Sequence, residues 1–177
     1  AMIGLGLFAF GAALLAGTDV NTAFWILAFY VIIGRLGQSI MLPAINVSAL
    51  RALPPEQLNN ASGSINFIRM MGGAFGVNLL VVFMEQRTEF HAISMTATQT
   101  AHNEASRELL SMVSELLHDS GIADAVLQPG ALHFLGRVVE AQAQTMGFQD
   151  GFMIIAVVFV AALLPAILMG KGSRGQK

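Results

Sequence analysis

Four apolar stretches run from about Met2 to Gly17, Ala23 to Leu50, Ser62 to Met84 and Gly151 to Met169, and they restrict what this chain can fold into. About 20 predominantly apolar residues carry a helix across the hydrocarbon core of a bilayer, where a backbone must satisfy its own amides. The last three stretches are long enough, and the first is short, as a truncated span would be. Composition agrees: 55% of residues are hydrophobic and 11% charged, with a mean hydropathy of +0.66, whereas a soluble domain carries about 25% charged residues. The expected fold is therefore all-α and polytopic, with four transmembrane helices and an external helical hairpin. A net charge of -2 leaves no basic surface for nucleic acid, and the absence of cysteine removes disulfides and thiolate chemistry. The chain opens on Ala1 with no charged segment before the first apolar stretch, which does not read as a signal peptide and is compatible with a piece of something longer.

Connections divide the chain into three parts. Residues 1–85 hold three spans with a short cytoplasmic connection near 51–61, where Pro54, Pro55 and Glu56 predict a short helix along the membrane surface. Residues 86–148 form an external, periplasmic helical loop domain, and residues 149–177 the last span and a cytoplasmic tail. Within the loop domain, Asn103 can cap a helix carrying Leu109, Leu110, Met112, Val113, Leu116 and Leu117, closed near His118 and Gly121. A break is expected at Pro129-Gly130, then a second amphipathic helix from about Ala131 to Gln144, with Gly147 handing the chain to the last span. This domain is acidic, setting Arg87, Arg107 and Arg137 against Glu89, Glu104, Glu108, Glu115, Asp119, Asp124 and Glu140.

Basic residues near short loops stay on the cytoplasmic side. Arg51, Lys171, Arg174 and Lys177 share one side of a four-span layout, and the turn Thr18 to Thr22 opposite has no basic residue. The C-terminus is thus expected in the cytoplasm and the acidic hairpin outside.

A charged side chain within a span costs at least about 2.5–3.5 kcal/mol even on the permissive insertion scale, so each asks for a reason. Arg69 sits near the start of the third span and Arg35 deep in the second. Arg69 either snorkels to nearby headgroups or faces a cavity or a carboxylate on a helix outside this chain. Arg35 reads as an interior group of the bundle. Gly72 and Gly76, with Gly73 beside them, have the spacing that lets membrane helices approach closely; Gly4, Gly6 and Gly11 in the first span share that ambiguity. Gln38, Asn46, Asn66 and Asn78 are the polar side chains available to line a path. No acidic residue lies well inside a span, so a proton-coupled carrier would keep its titrating carboxylate elsewhere; Asp150 reads as a helix-start residue facing water. His91, His102, His118 and His133 match no metal-binding spacing, and no nucleophile elbow or phosphate loop is present, so neither an enzyme nor a metal site is expected.

The order of motifs resembles the C-terminal part of the 14-span drug:proton antiporters of the EmrB/QacA family in the major facilitator superfamily. The resemblance covers nearly the whole chain. It rests on Gly34-Arg35-Leu36-Gly37 leading to Leu42-Pro43, on Leu53-Pro54-Pro55-Glu56 leading to Ala61-Ser62-Gly63, and on Asn66-Phe67-Ile68-Arg69-Met70-Met71-Gly72-Gly73-Ala74-Phe75-Gly76. A fourth element runs from Gln142 to Asp150, and the chain departs at Gln38-Ser39, where the family often carries more glycine. The resemblance implies export of amphipathic, drug-like compounds by alternating access across a bacterial inner membrane. It implies the proton gradient as driving force in place of a cofactor, a missing N-terminal half as the other cavity wall, and a periplasmic adaptor as a candidate partner of the hairpin. Arg69 takes the place of the family's arginine after the cytoplasmic connection, and Gly72, Gly73 and Gly76 that of its small-residue packing motif. Rival expectations are a same-family exporter of a metabolite or siderophore, and a self-standing four-helix assembly or adaptor-binding module.

Overall fold

A computed structural model describes residues 2–51, 54, 58–99 and 103–172. The chain is all-helical in the order α1 (Met2–Ala16), α2 (Phe24–Arg51), α3 (Leu58–Thr98), α4 (Glu104–Asp119) and α5 (Asp124–Gly172). Three of these, α2, α3 and α5, are long and apolar enough to cross a membrane. At 15 residues α1 reaches only about 22 Å at 1.5 Å per residue, against about 30 Å of hydrocarbon core. The expected surface helix after Arg51 falls largely on residues 52, 53 and 55–57, outside the described ones.

The helices group into two compact units, one of residues 1–84 and 149–177, the other of residues 85–148. In the first, the turn between α1 and α2 is built by its own side chains. Thr18 Oγ1 donates to the Leu15 carbonyl at 2.8 Å, Asp19 Oδ1 accepts from the Asn21 amide at 2.8 Å, and Gln149 Nε2 of α5 donates to the Thr18 carbonyl. These side-chain bonds add to the backbone bond from the Thr22 amide to the Asp19 carbonyl at 3.1 Å.

Helix α1 lies against α2 with almost no side chain between them. A Cβ on Gly37 would stand 2.5 Å from the Phe8 amide nitrogen and 2.9 Å from the Gly4 carbonyl oxygen. One on Gly4 would stand 2.7 Å from the Met41 nitrogen, and one on Gly11 2.8 Å from the Gly34 nitrogen. Only glycine permits so close a backbone approach. Leu5, Ala9, Ala12 and Met41 are buried around this seam. On another side, Phe8 of α1 meets Phe159 of α5 with ring centroids 4.4 Å apart. At Gly151 of α5 the nearest neighbour is the flexible Met84 side chain of α3.

The second unit contains the C-terminal part of α3, α4 and the N-terminal part of α5. Asn103 closes two helix ends at once: its Oδ1 accepts from the Ser106 amide at 3.3 Å while its Nδ2 donates to the Thr98 carbonyl at 3.0 Å. Orphan donors at one terminus and orphan acceptors at the other are thereby satisfied. Gly121, at φ +80°, turns the chain after α4, in the left-handed region that favours glycine. The helix with Asn103 as its cap and Gly121 at its end is as the sequence predicts.

Two expectations are corrected. No break occurs at Pro129-Gly130: α5 begins at Asp124, and the predicted helix from Ala131 to Gln144, Gly147 and the last span all belong to it. Pro129 falls in the second turn, where it leaves only the Ala125 carbonyl without its usual donor. Packing offsets that loss, since Ala131 is buried and Gly130 faces Leu117 of α4. Likewise α3 does not stop near Met84 but continues to Thr98. The expected hairpin therefore gains a third helical segment.

Candidate functional site

Proline 43 lies inside α2, and its missing amide leaves the Ser39 carbonyl without the usual i+4 donor. Residues before it form the seam with α1. Those after it, Asn46 and Leu50, line a cavity of about 370 Å³ together with Ser62, Gly63, Ile65, Asn66 and Arg69 of α3. The volume lies within the range of about 300–1,000 Å³ typical of small-molecule sites. Three of the residues singled out in the sequence, Asn46, Asn66 and Arg69, converge here.

Arg69 is exposed and donates through Nη2 to Asn66 Oδ1 at 2.6 Å, three residues back on the same helix. That single bond uses one of the five guanidinium donors. Asn66 Nδ2 points to the Met70 sulfur at 3.9 Å, a weak acceptor. Among the described residues, no carboxylate stands within ion-pair distance of Arg69 or of Arg35. The lining is thus rich in donors and carries one formal positive charge, with apolar walls at Leu50 and Ile65.

The remaining predicted residues lie apart from this cavity. Arg35, also exposed, donates from Nη1 to Gln38 Oε1 at 3.1 Å, and the Ser39 hydroxyl donates to the Arg35 carbonyl at 2.9 Å. Asn78 Nδ2 donates to the Ala74 carbonyl at 2.8 Å. Each polar group is thus satisfied on its own helix, as low-dielectric surroundings require. A Cβ on Gly72, Gly73 or Gly76 would meet nothing within 4 Å, so the small-residue face of α3 is open among the described residues. Sequence reasoning passed over Ser62 and Gly63 as site residues, although both stand in the Ala61-Ser62-Gly63 motif. For the α1–α2 seam the signal in the sequence is the seven-residue spacing of Gly4 and Gly11, two helical turns on one face; Gly37 carries none beyond its place in the Gly34-Arg35-Leu36-Gly37 motif. Among the described residues no group of three His, Asp or Glu side chains is placed to hold a metal ion.

Large apolar side chains stay outside throughout α2, α3 and α5: Trp25 is 80% exposed, Ile68 68% and Leu79 70%. No residue of the apolar part of α3 is buried. Water would not tolerate so much exposed apolar area on a monomer, and the class of protein so defined is an all-helical, multi-pass membrane protein.

Comparison with known proteins agrees. Over 172 residues, 97% of its length, the chain is 24% identical to the colistin resistance protein EmrB of Acinetobacter baumannii, of which it covers 33%. It is 27% identical over 85 residues to the multidrug transporter protein MdtP of Bacillus subtilis, covering 48% of this chain and 16% of that protein. The chain therefore spans about a third of the length of the EmrB relative, and the similarity fits the C-terminal portion of a multidrug transporter of that type. No family model matches, and no solved structure does.

Proposed function

We propose that this chain is the C-terminal portion of a major facilitator exporter that removes amphipathic compounds from the bacterial cytoplasm by proton antiport. The observation that carries the proposal is the similarity to a resistance transporter along 97% of the chain. The open glycine face of α3 supports it, because among the described residues nothing packs against that face.

In this proposal α2 and α3 brace or line one wall of a central cavity, and the remainder of the transporter provides the other wall and the titrating carboxylate. Alternating access is then the rocking of one helical repeat against another about that cavity. Arg35, Gln38, Asn46, Asn66, Arg69 and Asn78 supply polar contacts on the C-terminal side, and Gly72, Gly73 and Gly76 supply close packing. The positive-inside distribution of Arg51, Lys171, Arg174 and Lys177 puts the C-terminus in the cytoplasm. Residues 86–148 then lie in the periplasm, available to an adaptor protein.

The test is replacement of Arg69 by alanine in the native gene product, read as drug resistance beside the amount of protein in membranes. The expected outcome is loss of resistance with protein still present; full resistance at equal abundance would overturn the role of α3. An antibody against the 103–121 segment should detect a native product several times larger than 18.8 kDa, whereas a band near that mass would instead favour a self-standing module.

A further inference from the structure

We infer that the cavity between the post-proline half of α2 and the start of α3 binds a phosphate group, supplied by the headgroup of an anionic phospholipid. Transport does not enter this inference, which requires only that the chain sit in a membrane. Its starting point is an imbalance of donors and acceptors. The lining offers the Arg69 guanidinium, the Asn46 and Asn66 amides and the Ser62 hydroxyl, and no Asp or Glu among the described residues. Arg69 keeps most of its donors after bonding to Asn66, and the geometry of a guanidinium fork matches two oxygens of one phosphate.

Position strengthens the chemistry. Ser62 and Gly63 lie on the same helix as Asn66 and Arg69 and line the same cavity, so the hydroxyl, amide and guanidinium donors of α3 converge on it together. The absence of a Cβ at Gly63, around which nothing stands within 4 Å, keeps the mouth open. Leu50 and Ile65 provide apolar wall beside the polar floor, so the occupant has an anionic head and an apolar continuation. A free phosphate would satisfy the donors but leave those walls wet; a phospholipid satisfies both. The cavity, at about 370 Å³, exceeds what one phosphate fills.

The experiment uses the native gene product purified in a mild detergent and examined by native mass spectrometry with phosphatidylglycerol or phosphatidylcholine added. Phosphatidylglycerol should be retained with roughly tenfold or greater preference, and Arg69→Gln and Asn46→Leu should each remove that preference, as loss of a charge-assisted hydrogen bond implies. Arg69→Lys should restore part of it, since an ammonium still meets a phosphate as a point charge. Inorganic phosphate, added to the phosphatidylglycerol-bound protein in a second arm, separates the two sources: failure to displace the lipid supports the headgroup, and displacement overturns it in favour of free phosphate. Equal retention of both lipids, or a preference unchanged in Arg69→Gln and Asn46→Leu, would overturn the site altogether.

Discussion

Two glycine-rich stretches of this chain look alike on paper and differ completely in space. In α1 and α2, Gly4, Gly11 and Gly37 bring two backbones together so closely that a single added carbon would strike main-chain atoms. In α3, Gly72, Gly73 and Gly76 face nothing within 4 Å. Spacing alone therefore states that a helix can be approached closely, and only the fold states whether anything does so. The seam within the chain is a contact already made; the face on α3 is one that the proposed transporter completes with helices beyond this sequence.

Substitutions at matched positions break or sharpen this contrast. The largest effect is expected from Gly37→Leu, because the obstacle is the Phe8 backbone and cannot rotate away. Overpacking costs typically about 1–3 kcal/mol, and a backbone obstacle belongs at or beyond the upper end. Membrane-inserted protein should fall sharply, measured as detergent-resistant folded material, and normal accumulation would show that the seam is not structural. Next comes Gly76→Leu in the native product. Accumulation should be unchanged and drug resistance lost, whereas retained resistance would mean that the α3 face meets only lipid.

A smaller effect separates two glycines of one helix. Gly4→Ala should destabilise by about 1 kcal/mol or more, through contact with Met41 and Gly37. Gly6→Ala, with open space around it, should instead stabilise by up to about 1 kcal/mol through helix propensity. Denaturation midpoints of the two variants should move in opposite directions, and movement in the same direction would deny that the seam runs along one face of α1.

What could be read from the sequence follows the range of the forces involved. Asn103 and Gly121 mark the ends of α4 because a cap and a left-handed turn involve residues only a few positions apart. The apolar runs of α2, α3 and α5 were equally legible, since a bilayer asks for length and little else. At Pro129 the local preference is outweighed by packing, since Gly130 faces Leu117 of α4 and Ala131 is buried, and no nearest-neighbour rule contains that. At the candidate site, Asn46 and Arg69 were each visible as polar groups in apolar surroundings. Their convergence was not, because it depends on α2 and α3 lining one cavity, residues far apart along the chain.

The seam at Gly37 has a thermal consequence. Side chains buried at a helix interface surrender rotamer freedom, about 0.5–1 kcal/mol for each leucine or isoleucine at 25 °C, and that loss grows with temperature. Glycines facing main chain have no rotamers to surrender. Pairing of α1 with α2 should therefore weaken less on heating than contacts made through long side chains, leaving this helix pair as the last part of the first unit to come apart.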